Sequence, residues 1–426
     1  MIEEIRETRL ENGLVVLTDR MAGVRSVTLG FFFRVGSRIE PDNLNGISHF
    51  IEHAVFKGTS KRSALDIAIE QDRLGGNLEA FTTHEETGFA IKVIDDQLPA
   101  AFDLISDMLM NPRFDESELE SERRVIIEEM KMIEDSPEDY LGEIFSEAFF
   151  PGHPLGMNIA GTPETVKTFD HERTRKYHKE NYVPGNLVIA AAGNVTHQQI
   201  EHLVLGTNFS WPIAEGGLLK QGLKTPAPAS PFLIKHRDDL EQAHLIIATP
   251  FTGAVDDQRY AADLLSNIMG GGMSSRLWQT IREERGLAYN VGASNVMYQD
   301  CGVFSIFAGT SPASAAEVVD LSIAEMRKLV NDGVTPKELE LTKQQARASI
   351  LLSLEDSASR AAVMAQSEMI HRRQIPVEET LANIDAVTMD DCNAVADEFF
   401  RSDRLAFAAL GDLQDSDIGR ERLRIA

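Results

Sequence analysis

The stretch His49-Phe50-Ile51-Glu52-His53 places two histidines four residues apart, with one carboxylate between them. At ~100° per residue in a helix, His49, Glu52 and His53 lie on one face, whereas Phe50 and Ile51 lie on the opposite, apolar face. The apolar face can pack against a core while the other face presents polar groups. The stretch therefore predicts a helix with one packed side and one side suited to binding a metal ion.

We expect this helix to begin after Asn45, whose side chain can cap the first turn, and to end at Gly58, about three turns later. H-x-x-E-H is the inverted form of the zinc-binding motif H-E-x-x-H. Five residues are a weak match, because two surface histidines on an acidic helix give the same pattern. Catalytic zinc sites use three protein ligands and one open position, so a third ligand is needed to separate the two alternatives.

Residues 115–134 supply candidates for that ligand. Apolar residues recur here at helical spacing, and Glu122 and Glu129 interrupt the apolar stripe. A carboxylate buried without a partner is costly, so each acid needs a cation or a hydrogen bond. We predict that Glu129 is the third ligand and that Glu122, two turns earlier, holds a ligand in position. The alternative is that one of the two pairs with a buried arginine or lysine.

The composition limits the classes of partner. The 426 residues include 67 acidic and 41 basic side chains, which gives a formal charge of −26. Such a charge repels nucleic acid and anionic membrane surfaces, so we expect neither as a partner. An acidic surface can attract cationic peptides, or it can serve solubility alone.

Cysteine usage and the first residues predict the compartment. Cys301 and Cys392 are the only cysteines, so neither a disulfide framework nor a cysteine zinc site is expected. The first residues, MIEEIRETRLENGLVV, are acidic and do not resemble a secretory or transit signal. The longest apolar stretches are too short to span a bilayer. We therefore expect a cytoplasmic protein.

The first half of the chain predicts an alternation of strands and helices. An Asn12-Gly13 turn predicts a hairpin over residues 8–18. The apolar run at residues 27–35 predicts a buried strand. Periodicity and glycine breaks predict the remaining elements: helices at 63–74, 97–110 and 115–134, and paired strands at 78–81 and 88–93.

Gly, Pro and small residues accumulate between residues 206 and 231, as in a linker. We therefore expect an N-terminal metal-binding domain at 1–210, a linker at 211–231 and a C-terminal domain at 232–426. The second half repeats the order of elements of the first. Short identities also recur 220 and 221 residues apart: 119–120 with 339–340, and 134–136 with 355–357. We infer an internal duplication in which the second copy lacks H-x-x-E-H.

Four segments resemble the insulinase/pitrilysin family of zinc peptidases, in particular the class related to mitochondrial processing peptidase. They are HFIEHAVFKGT (49–59), GGNLEAFTTHEETGFA (75–90), ERRVIIEEM (122–130) and GHPLGMNIAGT (152–162). The resemblance extends over essentially the whole chain, and Glu129 follows His53 by 76 positions, as in that family. It implies an α+β, processing-peptidase-like metallohydrolase fold. That fold has two homologous α/β-sandwich domains, each a mixed, mostly antiparallel sheet packed with helices.

The same resemblance implies one zinc ion per chain, bound by His49, His53 and Glu129. It makes Glu52 the general base, and Glu122 would orient a ligand. The chemistry agrees with these roles. Zinc lowers the pKa of water toward neutrality, and a carboxylate one turn away can accept the proton and later pass it to the leaving amine.

Arg282 and Tyr289 match a pair that the family uses to bind substrate and stabilise the oxyanion. Without the resemblance, they read as an arginine at a helix end and a core tyrosine. The glycine run at 270–272 precedes a predicted helix that ends at Gly286. No Gly-Lys-Ser/Thr follows the run, so we reject a phosphate-binding loop.

Residues 76–81 resemble the strand to which the family's peptide substrates add by main-chain hydrogen bonds. This makes Glu79, Ala80 and Phe81 candidate substrate-binding residues. The family commonly has asparagine where this chain has Glu79. We hypothesise that Glu79, together with the acidic balance of the chain, favours basic peptides.

The resemblance implies a zinc endopeptidase that cleaves unfolded peptides or short polypeptides. Family members with four such domains on one chain take zinc from the first domain and the Arg/Tyr pair from the last. This chain carries both sets, so we expect a homodimer with two composite sites enclosing a chamber. Two alternatives are a non-catalytic scaffold subunit of the same fold and the catalytic half of a heterodimer.

Overall fold

The computed structural model of the chain describes residues 5–207, 223–414 and 417–425. Within those residues, the chain forms eleven β-strands and fourteen α-helices. The strands are β1 (Ile5–Arg9), β2 (Val15–Arg20), β3 (Ser26–Phe33), β4 (Leu78–Thr82), β5 (Thr87–Ile94), β6 (Leu187–Gly193), β7 (Phe232–His236), β8 (Ala243–Phe251), β9 (Ala288–Met297), β10 (Gly302–Thr310) and β11 (Ala406–Gly411). The helices are α1 (Ile47–Ala54), α2 (Ala64–Leu74), α3 (Leu98–Met110), α4 (Glu116–Asp135), α5 (Pro137–Phe149), α6 (Pro163–Val166), α7 (His171–Asn181), α8 (His197–Gly206), α9 (Arg259–Gly270), α10 (Ala315–Asp332), α11 (Pro336–Ser353), α12 (Ser357–His371), α13 (Val377–Ala386) and α14 (Met389–Phe399).

The chain divides into two compact units. Unit 1 contains the described residues of Met1–Met132, Met157–Lys224 and Leu351–Gln374. Unit 2 contains those of Ile133–Gly156, Thr225–Ile350 and Ile375–Ala426. Residues 211–222 of the expected linker lie outside the described residues.

The sheet of unit 1 has the strand order β1-β2-β6-β3-β5-β4. β2 and β6 pair in parallel, and the other described neighbours pair antiparallel. The central strands β3 (SVTLGFFF) and β6 (LVIAAAG) are apolar almost throughout, as expected for strands covered on both faces. The Asn12-Gly13 turn joins β1 to β2, which confirms the predicted hairpin.

The sheet of unit 2 has the order β7-β11-β8-β10-β9. β7 and β11 are parallel, and the other described pairs are antiparallel. This order repeats that of unit 1 from β2 onward, strand for strand. The repetition confirms the predicted α+β fold of two homologous domains, each with a mixed, mostly antiparallel sheet.

Each compact unit also contains a helix from the opposite half of the sequence. In unit 1, Met364 and Ala365 of α12 pack against Val188 and Ala190 of the central strand β6. In unit 2, Leu141 and Phe145 of α5 belong to the cluster that covers β8 and β11; its strand residues include Ala248, Ala406 and Leu410. The two homologous sheets therefore follow one another along the sequence. Each compact unit, however, also includes a helical segment from the other half of the chain.

Among the described residues, no helix is both long enough and apolar enough to cross a membrane.

Candidate metal centre

Helix α1 begins where the chain turns sharply at Gly46, which has φ of 95°. A Cβ at this position would lie 2.4 Å from the carbonyl oxygen of Ala160, so only glycine fits. The buried carboxylate of Glu40 accepts the backbone N–H groups of Gly46 and Ser48, each at 2.7 Å. The predicted cap by Asn45 is wrong, because this more distant carboxylate takes the free amides of the first turn.

The two faces of α1 differ as the sequence predicts. Phe50 and Ile51 are fully buried in the core of unit 1. The α-helical part ends at Ala54, and a 3₁₀ turn over Val55–Lys57 continues it to Gly58, which has φ of 115°. The predicted end at Gly58 is therefore confirmed, although the α-helical part is shorter than three turns.

The side chains of His49, His53 and Glu129 come together, each offering one ligand atom within 4.8 Å of the others. Oε2 of Glu129 lies 3.8 Å from Nε2 of His49 and 3.6 Å from Nε2 of His53. Both distances are too long for a direct hydrogen bond. Within the described part of the chain, this buried oxygen has no hydrogen-bond partner. This carboxylate oxygen faces two imidazoles and forms a hydrogen bond with neither. A cation can therefore lie between the three groups.

These residues fit a zinc ion. Bonds from zinc to nitrogen and oxygen are about 2.0–2.2 Å long, so ligand atoms around a tetrahedral ion lie about 3.3–3.5 Å apart. The distances of 3.8 and 3.6 Å from Oε2 of Glu129 to the two histidine nitrogens are only slightly longer than that range. Two histidines and one glutamate also form a known ligand set of catalytic zinc sites, in which a fourth position stays open.

Glu122 contacts the second nitrogen of one of these histidines. Its Oε2 accepts a hydrogen bond from Nδ1 of His53 at 3.2 Å, and its Oε1 lies 2.7 Å from Nζ of Lys57. Burial alone would raise the pKa of Glu122, but the hydrogen bonds from His53 and Lys57 outweigh it and lower that pKa. Burial likewise opposes the charged form of His53, while the bond to Glu122 and the nearby carboxylates raise its pKa overall. Glu122 thus contacts both a histidine of the cluster and a lysine, although that lysine is half-buried and not buried as in the alternative.

Glu52 lies on the same helix face and is 9% exposed. The hydroxyl of Thr82 donates a 2.7 Å hydrogen bond to its Oε2. Burial raises the pKa of Glu52 despite that bond. Burial and the neighbouring His53 lower the pKa of His49 to about 4, which keeps its imidazole neutral near pH 7, as a metal ligand must be. The neutral imidazole of His49 is therefore in a suitable state for a metal ligand.

Glu79, Ala80 and Phe81 lie on β4, which pairs with β5 and is the edge strand of its sheet. The other edge of β4 therefore presents backbone N–H and C=O groups that an extended peptide can pair with. The side chain of Thr82, the last residue of β4, contacts Glu52. The candidate substrate strand and the candidate base are thus adjacent within unit 1.

Arg282 and Tyr289 contact each other in unit 2. Nη1 of Arg282 donates to the carbonyl oxygen of Tyr289 at 2.8 Å, and the guanidinium lies 4.3 Å from the centre of the Tyr289 ring. It also lies 3.9 Å from the centre of the Trp278 ring. The segment Trp278–Glu283, within the helix expected before Gly286, is π-helical. Tyr289 is 79% exposed, so it is not the core tyrosine of the alternative reading.

Sequence reasoning missed four residues of these arrangements: Glu40, Lys57, Thr82 and Trp278. Glu40 and Thr82 act through loop and strand contacts that leave no helical or alternating pattern. Lys57 lies one helical turn after His53, and this spacing indicates that the lysine lies on the same side of the segment as the motif. Trp278 lies four residues before Arg282, a spacing at which two helical side chains meet.

Two models of known protein families match successive parts of the chain. A family model described as Insulinase (Peptidase family M16) matches residues 15–163. A second model, described as Peptidase M16 inactive domain, matches residues 168–346. The two matches follow one another along the chain, as the inferred duplication requires.

Curated relatives resemble the chain along nearly its whole length. An uncharacterized zinc protease of Streptomyces coelicolor is 36% identical over 424 residues, which cover 98% of this chain and 92% of the relative. An uncharacterized zinc protease of Bacillus subtilis is 35% identical over 399 residues, which cover 94% of this chain and 96% of the relative.

Solved structures show the same fold. A protease from Helicobacter pylori aligns with a TM-score of 0.86 and 24% identity, covering 96% of this chain and all (100%) of that one. A peptidase M16 inactive domain from Pseudomonas fluorescens aligns with a TM-score of 0.88 and 19% identity, covering 96% and 98% of the two chains. The family matches and the curated relatives establish more than the fold: the chain belongs to the insulinase family of peptidases, peptidase family M16.

Proposed function

We propose that the chain is a zinc-dependent endopeptidase that hydrolyses peptide bonds in unfolded peptides or short polypeptides. The observation that carries the proposal is the convergence of His49, His53 and Glu129, with a buried Glu129 oxygen that no hydrogen bond satisfies. The names of the curated relatives, zinc proteases, support the same class of reaction.

Zinc, when bound, would supply a Lewis acid that polarises the scissile carbonyl and lowers the pKa of water. Glu52 accepts the proton of the attacking water and then donates it to the leaving amine. The hydrogen bond from Thr82 fixes the orientation of the Glu52 carboxylate. Its raised pKa brings the group closer to neutral pH, where it can both accept and release a proton.

The remaining residues position ligands and substrate. The bond from Nδ1 of His53 to Glu122 places the proton on that nitrogen and leaves Nε2 free to bind the metal. An extended peptide pairs with the edge of β4 to which no described strand is hydrogen-bonded. This mode of binding requires an unfolded segment, so folded proteins are poor substrates.

We further propose a homodimer in which Arg282 and Tyr289 of one copy complete the site of the other. The stacked, exposed Tyr289 is available to a partner surface, and its arginine neighbour is a donor for a developing oxyanion. The intact set of ligands and base speaks against a scaffold subunit. We propose a cytoplasmic location, since two cysteines in 426 residues do not provide the disulfide framework typical of secreted proteins.

Substitution of one ligand tests the proposal against a matched neighbour. Glu129→Gln should lose both bound zinc and peptide cleavage. Glu128→Gln changes the neighbouring exposed carboxylate, which pairs with Lys131 on the same helix, and should keep both. Zinc is quantified by elemental analysis and cleavage by mass spectrometry of an unstructured peptide mixture. Full cleavage by Glu129→Gln would overturn the assignment, and stoichiometric zinc without cleavage in the wild type would favour the scaffold alternative.

A further inference from the structure

Unit 1 contains a cavity of about 760 Å³ that lies apart from the candidate metal centre. The loop at residues 110–115 forms one wall, and α7 with the two residues that follow it forms the other. No metal ligand, nor Glu52 or Glu122, lines it. Its volume is within the range of about 300–1,000 Å³ that is usual for small-molecule sites.

The floor of the cavity is apolar. The side chains of Phe114, Tyr182 and Val183 line it and are buried, and Met110 adds a flexible apolar surface. A cavity of this size with an apolar lining is suited to a ligand that has a hydrocarbon or aromatic body.

Two exposed cations lie beside this floor. Arg175 and Lys179 line the cavity one turn apart on α7. Within the described residues, no hydrogen bond or ion pair satisfies either of them. Like charges at this spacing repel each other weakly, and an anion bound between them would relieve that repulsion. The carboxylate of Asp115, which also lines the cavity, lies 3.1 Å from Arg113 and is therefore already paired.

The walls of the cavity are fixed before any ligand binds. Phe114 has φ of 53°, a left-handed conformation that is strained for a residue with a side chain. Nδ1 of His171 donates to the carbonyl oxygen of Phe114 at 2.7 Å, and Nε2 of His178 donates to that of Leu109 at 2.9 Å. Two histidines of α7 thus hold the opposite wall, and strain maintained in this way is typical of functional sites.

We propose that this cavity binds a small organic anion, with the charged group between Arg175 and Lys179 and an apolar body on Phe114 and Tyr182. A carboxylate or a phosphate monoester provides the required anionic group. Such a ligand also contacts a residue that is bonded to the core of unit 1, because the hydroxyl of Tyr182 donates to the carbonyl oxygen of Ser48 on α1. Binding should therefore raise the thermal midpoint of the protein.

Isothermal titration calorimetry with octanoate tests the proposal on the full-length protein. We expect saturable binding of one octanoate per chain. Lys179→Gln should weaken it about tenfold, the loss expected for one hydrogen bond to a charged group. The matched control is Lys176→Gln, which removes the same charge from the same helix at a position that does not line the cavity. Binding should be unchanged in this control and in His49→Ala, which removes a proposed metal ligand.

Two further probes test the class of ligand. Octyltrimethylammonium has the same apolar chain with a positive charge, and inorganic phosphate has the charge without the chain. Both should bind at least about tenfold more weakly than octanoate, because each lacks one of the two interactions. The proposal is overturned if octanoate does not bind, if Lys176→Gln weakens it as much as Lys179→Gln, if His49→Ala abolishes it, or if either probe binds equally well.

Discussion

Oε2 of Glu122 accepts a hydrogen bond from Nδ1 of His53 at 3.2 Å, and Nε2 of the same ring lies 3.6 Å from Oε2 of Glu129. One imidazole therefore connects two acids that lie two turns apart on α4. We propose that the first acid orients the ring and that the second binds the same metal ion as Nε2 of that ring. This relationship gives the two glutamates of the apolar stripe different roles.

Glu122→Gln should lower zinc affinity about 10- to 100-fold, the usual effect of losing a carboxylate that orients a ligating histidine. The amide is neutral, so it cannot stabilise the ring in the same way. Competition with a chelator of known affinity measures the change. Glu118→Gln, a half-buried acid on the same helix that is not part of the candidate metal centre, is the control. Equal zinc affinities for the two variants would contradict the assigned role.

Asp107 should make the stability of unit 1 depend on acid pH. Its buried carboxylate accepts hydrogen bonds from Thr59, Arg62 and Asn111 at 2.6–2.9 Å. Burial opposes its charged form, but these bonds outweigh burial and hold its pKa below the usual value. Because the folded pKa lies below that of the unfolded chain, about 3.9, the stabilisation is complete above that value and is lost as the pH falls through the folded pKa.

Asp107→Asn should therefore have a lower thermal midpoint than the wild type at pH 7, and the difference should shrink below about pH 4. Circular dichroism at a series of pH values measures both midpoints. Asp72→Asn, which changes an exposed acid of α2, should follow the wild type throughout. A difference for Asp107→Asn that stays constant from pH 7 to pH 3 would show that the carboxylate charge does not contribute.

Mixing two inactive variants tests the composite site. His49→Ala removes a metal ligand and Tyr289→Phe removes the tyrosine hydroxyl, so each homodimer should have little activity. After random subunit exchange, half of the dimers are mixed and each has one intact site, so about a quarter of wild-type activity should return. A mixture of His49→Ala with Glu52→Gln, both on the metal side, should regain none. Absence of rescue after confirmed exchange would exclude a shared site.

Glu79→Gln tests the hypothesis of a preference for basic peptides. Glu79 is exposed on the edge strand β4, where a substrate cation can approach it. The variant should reduce kcat/KM for a basic peptide about two- to fivefold relative to a matched acidic peptide, since an exposed ion pair contributes about 0.2–1 kcal/mol. Glu118→Gln again provides the control. An unchanged ratio between the two peptides would count against a role for this carboxylate.

Local patterns predicted the elements that carry the site. The spacing of His49, Glu52 and His53 placed all three on one face of α1, and the interrupted stripe of α4 identified Glu122 and Glu129. The two helices could be predicted because helical periodicity is a property of neighbouring residues. The family resemblance then supplied the order and the offset of the ligands.

Long-range contacts could not be predicted in this way. The cap of α1 by Glu40 joins the helix to a preceding 3₁₀ turn, and no periodic pattern encodes that contact. The amphipathic patterns of α5 and α12 predict helices, but not which of the two sheets each helix covers. The 760 Å³ cavity of unit 1 is lined by residues from 110–115 and from 171–183, which come together only in the folded chain.

The central claim is that Glu52 catalyses peptide hydrolysis beside a zinc ion held by His49, His53 and Glu129. The most direct measurement is mass-spectrometric digestion of an unstructured peptide mixture by wild type and Glu52→Gln, with bound zinc quantified in both. We predict one zinc ion per chain in both proteins and cleavage that falls at least about 100-fold in the variant, the usual effect of losing a general base. Equal cleavage by the two proteins, or the absence of zinc from an active wild type, would contradict the account.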